Sequence, residues 1–316
     1  MVSDNLPYTV ETYPNRDAWL KGRGNGIGAS EVGVILGVSK WSSPYALWKR
    51  KRGITSPEET TEEQQWGWLM ERAIGDWFQQ DTGWRVKFDG LRVLRSKSHP
   101  FISCSLDGLV VPGLAGIEIP GVPFILHEES PIDFKNCHVR VASEWKNCPP
   151  PTHQIQLQMQ MFVTGTPIAF IAVCVGGCEG RWFPVLRNEK LIQRAVYKVE
   201  QFWTSMQQGV EPPVDGHEST RLAITNEFSP PVTGKRIELS QQGLAWVQQF
   251  DAATEIAKKA KEGREEAANH IRREMEDAEV AECPGGSGFV WKQGKGGTRS
   301  LRRVEKLPKE LSEVME

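Results

Sequence analysis

The run Asp133-Phe134-Lys135, inside the segment Pro131–Asn136, constrains the fold more than any other part of the sequence. In an extended strand, residues two apart point to the same face, so Asp133 and Lys135 project together while Phe134 points to the opposite, packed side. A strand of this kind places an acid and an ammonium side by side. We therefore expect Pro131–Asn136 to form a strand at the centre of a β-sheet.

A second acidic residue, Asp107, stands before a glycine, just after the segment Pro100–Ser105. This pattern predicts a strand that meets a tight turn. A hairpin from Asp107 to Asp133 would bring the two carboxylates together. The connecting stretch contains three other acids that lack a lysine two residues on, which are Glu118, Glu128 and Glu129.

Two carboxylates and a lysine are the groups that metal-assisted hydrolysis of a phosphodiester needs. Oxygen ligands suit Mg²⁺, and an ammonium can hold a nucleophilic water. Glu71 lies upstream in a predicted helix, and Gln156 and Gln158 lie downstream. An Asp-x-Lys pair alone is usually just an exposed strand face, but this joint pattern is much more specific. The combination favours a nuclease.

The sequence resembles the YqaJ-like and phage lambda-type exonucleases of the PD-(D/E)xK superfamily. Five blocks in the family's order, between about residues 15 and 205, carry the resemblance: 18–23 with 27–32, 66–71, 105–109, 133–135, and 156–158 running into 162–165. Two positions depart from the pattern. Asp133 stands where glutamate is more frequent, and Leu106 stands where proline is common. Neither departure removes a ligand.

The resemblance implies an α/β fold with a restriction-endonuclease-like core, in which a central mixed β-sheet is flanked by helices. It also implies a site for Mg²⁺, with Mn²⁺ able to substitute and two ions per site. Asp107 and Asp133 would ligate the metals, and the carbonyl of Phe134 would be a further ligand. Glu71 would reach one metal directly or through water.

The remaining roles are implied in the same way. Lys135 would orient or activate the attacking water, and Gln156 would complete the site from its helix. Gln158 is expected to contact DNA. In the family, positions matching Arg23, Ser30 and Ser105 form a pocket for the 5′-terminal phosphate of DNA.

The glycine-rich stretch Gly24–Glu31 superficially looks like a phosphate-binding loop. No Gly-Lys-Ser/Thr follows it, so it is not a Walker loop and NTP binding is not predicted. We interpret it as a turn with Ser30 at the N-cap of a short helix, whose free amides attract an anion. A capped helix without a ligand is the alternative.

The chain is predicted to contain a nuclease core at 1–213 and a C-terminal extension at 214–316. Expected helices of the core are 17–21, 30–37, 44–51, 64–82, 151–165 and 189–208, and the expected strands are 92–94, 101–105, 109–111, 124–127, 131–136, 168–175 and 181–185. The extension is expected to hold a long charged helix at 239–278 and a small β-element near 289–292. It would either contact DNA or a neighbouring subunit through its basic residues Lys292, Lys295, Arg299, Arg302 and Arg303, or act as a passive cap.

The net charge of −2 and the pI near 6.4 do not favour unspecific binding to nucleic acid, because neutralising phosphates supplies most of that affinity. Local charge decides, however. The compact basic run Lys49–Arg52 either contacts DNA or is solvated surface, and the sequence leaves both open.

The sequence has no apolar stretch near the ~20 residues of a membrane helix and no secretory start, so the cytoplasm of a bacterial host cell is the expected compartment, with a phage or prophage origin. The six cysteines show no Cys-x-x-Cys spacing, which argues against a zinc ribbon. Nor do they show the early and late cysteines of iron-sulfur nucleases that share the PD-(D/E)xK core.

The favoured function is a Mg²⁺-dependent 5′-to-3′ exonuclease that acts on double-stranded DNA ends in phage-type recombination. It would leave single-stranded 3′ tails for an annealing recombinase, its expected partner. A restriction-like or structure-specific endonuclease and an inactive DNA-end-binding protein are the alternatives. Lambda-type relatives close into rings, so a homo-oligomeric ring is implied, while the stoichiometry is left open.

Overall fold

The computed structural model describes residues 6–55, 60–294 and 296–305. The chain divides into two compact units, Met1–Pro231 and Val232–Glu316. The strands of the first unit are β1 (Tyr8–Thr12), β2 (Ile27–Gly28), β3 (Arg85–Phe88), β4 (Arg92–Ser96), β5 (Ile102–Cys104), β6 (Gly108–Val111), β7 (Ser130–Cys137), β8 (Ile168–Val175) and β9 (Glu179–Leu186). Its helices are α1 (Arg16–Gly24), α2 (Val32–Ile35), α3 (Pro44–Lys51), α4 (Glu62–Thr82), α5 (Pro151–Thr164), α6 (Glu189–Gln208) and α7 (Glu218–Glu227).

A five-stranded mixed sheet in the order β3-β6-β7-β8-β9 forms the centre of this unit. The β7/β8 pair is parallel and the other three pairs are antiparallel. Strand β7 is the middle strand, as its sequence predicts. Its neighbour β8 reads as a continuous apolar run because both of its faces are covered. The predicted α/β fold with a central mixed sheet flanked by helices is confirmed.

Helices α4 and α5 both pack against this sheet. Ile74 and Phe78 of α4 lie in a core with Phe134 and Phe170 of the sheet. Leu157 and Met161 of α5 belong to a separate core with the alternate residues of β8. The two separate cores lie on the two faces of β8, since neighbouring residues of a strand point in opposite directions.

Helix α5 forms although its glutamine and apolar residues alternate with a period of two, which is typical of a strand. Pro151 occupies its first turn, and Gly165 ends it with a φ of 81°. Both features are typical of helix ends. Gln158 and Gln160 are buried together with the apolar residues of the helix. A helix buried on most sides has no need of an amphipathic period, and this explains the ambiguous pattern.

A smaller sheet in the order β1-β4-β5-β2 lies in the same unit. Strand β2 pairs in parallel with β5, with Ile27 opposite Ile102. This pairing fixes the glycine-rich turn that precedes β2. A 3₁₀ turn at Ala29–Glu31 and the short helix α2 follow, where the sequence predicts one helix over 30–37.

Helix α7 packs against α3 and was not predicted. The buried hydroxyl of Ser43 lies 2.6 Å from that of Thr220, and its amide donates to Ser219. Lys49 is buried and forms ion pairs with Glu211 and Glu227, both 2.7 Å long. The first compact unit therefore extends through α7 to Pro231, whereas the limit of the nuclease core at 213 stays a prediction.

The second unit contains α8 (Gln241–Met275) and a three-stranded antiparallel sheet of β10 (Val280–Glu282), β11 (Gly288–Gln293) and β12 (Arg299–Val304). Arg299, a predicted DNA or subunit contact, instead stacks on Trp291 and donates to the carbonyls of Glu276 and Ala278 at the end of α8. Arg299 therefore caps the C-terminal end of this helix. Lys295 lies outside the described residues.

Several predicted elements differ from the structure. The segment 124–127 contains only an isolated bridge from Leu126 to Ile117 and no strand. Strands β1, β2, β3, β10 and β12 were not predicted. They are short or edge strands, and polar residues obscure their period. Within the described residues, no helix has the length and apolar content needed to cross a membrane.

Candidate active site

The pairing of β6 with β7 brings the two predicted acids together. Gly108 lies opposite Ile132, so Asp107 at the start of β6 is level with Asp133. The backbone amide of Phe134 donates to Oδ2 of Asp107 over 2.8 Å. This bond holds the Asp107 carboxylate against β7. The hairpin geometry predicted from the sequence is therefore present.

Lys135 and Asp133 share one face of β7, as their spacing predicts. The Lys135 ammonium forms an ion pair with Oδ2 of Asp133. It also donates to the carbonyl of Phe134 over 3.3 Å. The side chain of Asp133 is only 1% exposed, while that of Lys135 is 25% exposed. The ammonium therefore sits at the open side of a buried carboxylate.

Helix α5 supplies two amides to the same carboxylate. Gln156 donates from Nε2 to Oδ1 of Asp133 over 2.8 Å, and Gln160 donates to the same oxygen over 3.3 Å. Gln156 was predicted at the site, whereas Gln160 was missed. The signal that could have found it is the spacing of four, because residues i and i+4 share one helix face.

Glu71 of α4 interacts electrostatically with the charged groups of the site. Burial raises the pKa of Glu71, the ammonium of Lys135 opposes that shift, and the carboxylate of Asp133 adds to it. Arg16 and Arg23 also lower the pKa of Glu71. Within the described part of the chain, no three acidic, histidine or cysteine side chains form a ready set of metal ligands. The carboxylate of Glu71 thus interacts with the charges of Lys135 and Asp133.

The electrostatics of the cluster follow from burial of like charges. Burial and the neighbouring Asp133 hold the pKa of Asp107 well above its usual range. Burial alone would lower the pKa of Lys135, but the carboxylates of Asp133 and Asp107 outweigh it and raise that pKa. His153, whose ring packs against that of Trp145 at a tilt of 31°, has its pKa lowered to about 4 by burial and by the charge of Lys135. His153 is therefore neutral at physiological pH.

The donor set fits a hard divalent cation. It consists of the carboxylates of Asp107 and Asp133 and the carbonyl of Phe134, which are all oxygen ligands of the kind Mg²⁺ takes. Oδ2 of Asp133 is buried and has no hydrogen bond, only the ion pair to Lys135. A cation would relieve the repulsion between the two carboxylates that raises the pKa of Asp107.

A small cavity of about 20 Å³ is linked to the carboxylates through Gln156, which lines it and donates to Asp133. It is lined by Arg23, Gly28, Ala29, Ser30, Ser103, Cys104, Ser105 and Gln156. The three residues predicted to bind a terminal phosphate thus converge. The hydroxyl of Ser105 is buried without a hydrogen-bond partner, and the guanidinium of Arg23 lies 3.5 Å from the hydroxyl of Ser30. These are donors that an anion in the cavity could use.

Gln158, a predicted DNA contact, and the basic run Lys49–Arg52, for which DNA contact was one of two alternatives, both make contacts within the fold. Gln158 is buried, its amide donates to the carbonyl of Leu186 and its oxygen accepts from the amide of Asn188, both over 2.8 Å. It therefore joins α5 to the segment after β9 and has no group left for DNA. In the basic run, Lys49 is buried in ion pairs, and Arg52 donates to the carbonyl of Met206. Lys49 is thus buried and supports the fold, whereas Arg52 at the end of the run is exposed.

The chain is similar to known proteins in sequence. The family model described as the YqaJ-like viral recombinase domain matches residues 18–167. The protein YqaJ of Bacillus subtilis (strain 168) is 27% identical over 271 residues, which cover 84% of this chain and 80% of that protein.

Solved structures with a similar fold include two bacterial proteins. The alkaline exonuclease LHK-Exo of Laribacter hongkongensis, in complex with dAMP, has 19% identity and a TM-score of 0.48, covering 62% of this chain and 94% of that one. A phage related exonuclease from Haemophilus somnus 129PT has 14% identity and a TM-score of 0.41, covering 58% of this chain and 95% of that one. Residues 18–167 of this chain are therefore similar to the YqaJ-like viral recombinase domain, and most of the chain is similar in sequence to YqaJ.

Proposed function

We propose that this protein is a Mg²⁺-dependent exonuclease that degrades double-stranded DNA from its ends in the 5′-to-3′ direction. The similarity to the YqaJ-like viral recombinase domain and the buried carboxylate cluster support phosphodiester hydrolysis. The cavity beside the cluster supports action at ends. A terminal phosphate occurs only at the end of a DNA strand, because every internal phosphate is bonded to two nucleotides.

One observation carries the proposal. Gln156 lines the cavity with Arg23 and Ser30, and its amide also donates to the Asp133 carboxylate. An end phosphate held in the cavity would therefore lie beside the hydrolytic groups. Fixing the end in this way sets which bond meets those groups, and such positioning is a large part of catalysis.

The chain's own residues have separate tasks in this proposal. Asp107, Asp133 and the carbonyl of Phe134 would hold the metal, with Glu71 reaching it directly or through water. Bound Mg²⁺ would supply charge stabilisation to the phosphoryl oxygens, and two ions are the expected complement. Lys135 would orient the attacking water from the open side of Asp133. Gln156 and Gln160 keep the Asp133 carboxylate in place.

The biological setting follows from the same proposal. Removal of the 5′-ended strand leaves a single-stranded 3′ tail, which is the substrate of an annealing recombinase. We propose such a protein as the partner, and a homo-oligomeric ring as the assembly. Mn²⁺ should replace Mg²⁺, because both are hard cations that prefer oxygen ligands.

Digestion of linear and closed circular duplex DNA tests the proposal. With Mg²⁺, the linear DNA should disappear while the circle is spared, and EDTA should stop the reaction. Asp107→Ala, which removes one carboxylate, should lower the rate by on the order of 10³-fold or more. Cutting of the circle would indicate an endonuclease, and end binding without cleavage would indicate an inactive DNA-end-binding protein.

A further inference from the structure

The glycine-rich turn before the cavity is held by buried charges that the proposed hydrolysis does not use. Lys51 is only 7% exposed in its side chain. Its ammonium forms a 2.7 Å ion pair with Oε2 of Glu31 and donates to the carbonyl of Gly26 over 2.6 Å. A single ammonium thus joins both ends of the turn that carries Ser30.

Glu31 completes the arrangement from inside the turn. Its Oε2 accepts a hydrogen bond from the amide of Gly28 over 2.8 Å, and Arg50 approaches its other oxygen at 3.4 Å. Gly28, Ala29 and Ser30, all between Gly26 and Glu31, line the cavity. The Lys51–Glu31 pair therefore fixes the segment that shapes one wall of the cavity.

The backbone of the turn cannot hold this shape through side-chain packing of its own. Gly26 has a φ of 129°, and a Cβ there would lie 2.6 Å from the carbonyl oxygen of Phe101. Only glycine fits, and glycine leaves the chain free to take other conformations. Arg95 donates to the neighbouring carbonyl of Asn25 over 2.6 Å. The cationic side chains of Lys51 and Arg95, which lie outside the turn, therefore hold its backbone in this conformation.

Charge gives the pair a second task. Glu31 does not line the cavity, but its carboxylate accepts from the amide of Gly28, a lining residue, and so lies just behind the cavity wall. An uncompensated carboxylate would repel a phosphate, and this repulsion is strong where water is scarce. Lys51 and Arg50 compensate the negative charge of Glu31. The guanidinium of Arg23 then gives the cavity a positive potential.

We propose that Lys51, acting through Glu31 and Gly26, is a positioning residue that makes the cavity specific for a terminal phosphate. This inference rests on the proposed function, since it names what determines the substrate preference of that site. Lys51 lies outside the cavity lining, so it would touch neither the phosphate nor the scissile bond.

Binding in EDTA tests the inference without requiring cleavage. The probes are linear duplexes with a 5′-phosphoryl or a 5′-hydroxyl end, and fluorescence anisotropy gives Kd for each. Wild-type protein should bind the phosphorylated end more tightly. Lys51→Met should reduce the ratio of the two Kd values at least fivefold, while binding of the hydroxyl end stays within twofold. Lys51→Arg should restore most of the ratio.

Two further variants complete the design. Lys198→Met removes an exposed lysine of α6 and should leave the ratio unchanged. Glu31→Gln keeps an oxygen for the Gly28 amide but removes the charge partner of Lys51, so it should loosen the turn and lower the ratio less than Lys51→Met. This second variant serves if Lys51→Met fails to fold, as judged by its melting curve.

The outcomes separate the inference from the proposed function. Folded Lys51→Met and Glu31→Gln variants that keep the wild-type ratio would overturn the inference and leave exonuclease action intact. Equal losses for both ends would also overturn it, because they indicate a general structural role. A wild-type preference that Lys51→Met abolishes supports the inference even if the protein cleaves nothing. A wild-type protein without any preference overturns the phosphate pocket and this inference together.

Discussion

The carboxyl group of Asp107 lies in surroundings that oppose its ionisation. Burial and the neighbouring Asp133 raise its pKa, while Lys135 opposes the shift. Because the folded state then binds the proton more tightly than the unfolded chain, the free energy of unfolding falls as pH rises through the interval between the two pKa values. The ionised site is therefore a source of instability that a bound cation would remove.

This reasoning predicts that Asp107→Asn stabilises the metal-free protein. The asparagine keeps an oxygen for the Phe134 amide but carries no charge. Its melting temperature should exceed the wild-type value at neutral and alkaline pH, and the difference should shrink as pH falls. A gain of about 1 kcal/mol would correspond to about 2–4 °C.

Thermal melts across a pH series in EDTA measure this difference. The same melts with Mg²⁺ form the control, because added cation should stabilise the wild type and not the variant. A variant that melts below the wild type at every pH would contradict the electrostatic account of Asp107.

The residues of the site differ in how far the sequence could reveal them. Asp107, Asp133 and Lys135 follow from strand period and turn chemistry, and the structure brings them together. The burial of Gln158 could not be read from the sequence, because a glutamine in an α-helix says nothing about which face is covered. Gln160 was missed as well, although its spacing of four from Gln156 places both on one helix face.

At the scale of elements, long segments were easier to predict than short ones. Helices α3 and α6 match their predicted limits because a proline or a cap starts them and their apolar faces are regular. The three edge elements β1, β2 and β3 escaped prediction. Their hydrogen bonds come from partners distant in sequence, so local pattern carries little information about them.

The contact between α3 and α7 is another feature set by distant partners. From the sequence, the basic run that begins at Lys49 was predicted either to contact DNA or to be solvated surface. The structure instead buries its ammonium between Glu211 and Glu227. Burial alone would lower the pKa of Lys49, but the two carboxylates outweigh it and raise that pKa. The lysine therefore stays charged and joins two elements of the first unit.

Lys49→Met should consequently destabilise the first unit. Removing one partner of a buried ion pair leaves the other charges uncompensated, at a cost of about 3 kcal/mol. Urea unfolding of the variant measures this cost, with the exposed-lysine variant Lys198→Met as the matched control. An unfolding midpoint equal to the wild-type value would show that the Lys49 ion pairs do not support α7.

At the scale of the whole molecule, the acidic net charge and a DNA substrate are compatible. The chain carries 38 basic and 40 acidic residues. Much of the basic charge described above is used inside the fold, as with Lys49, Lys51 and Arg299. Arg23 faces the cavity instead. Affinity for DNA would thus depend on a few placed cations and not on the total charge.

The sequence also predicted two regions, and the structure divides the chain into two compact units with a limit at Pro231. The difference from 213 arises at α7, whose partners on α3 lie more than 150 residues earlier, as the pair Ser43 and Thr220 illustrates. No local signal marks such a contact. The two roles expected for the extension 214–316, contact with DNA or a neighbouring subunit and a passive cap, stay predictions.

Strand-resolved digestion of a duplex that carries a 5′-phosphate on one strand only tests the central claim most directly. Each strand bears a different internal label, and Mg²⁺ starts the reaction. The account predicts that the phosphorylated strand is lost first, from its 5′ end, while the complementary strand persists as a single-stranded 3′ tail. Equal loss of both strands, or degradation that begins at 3′ ends, would contradict it.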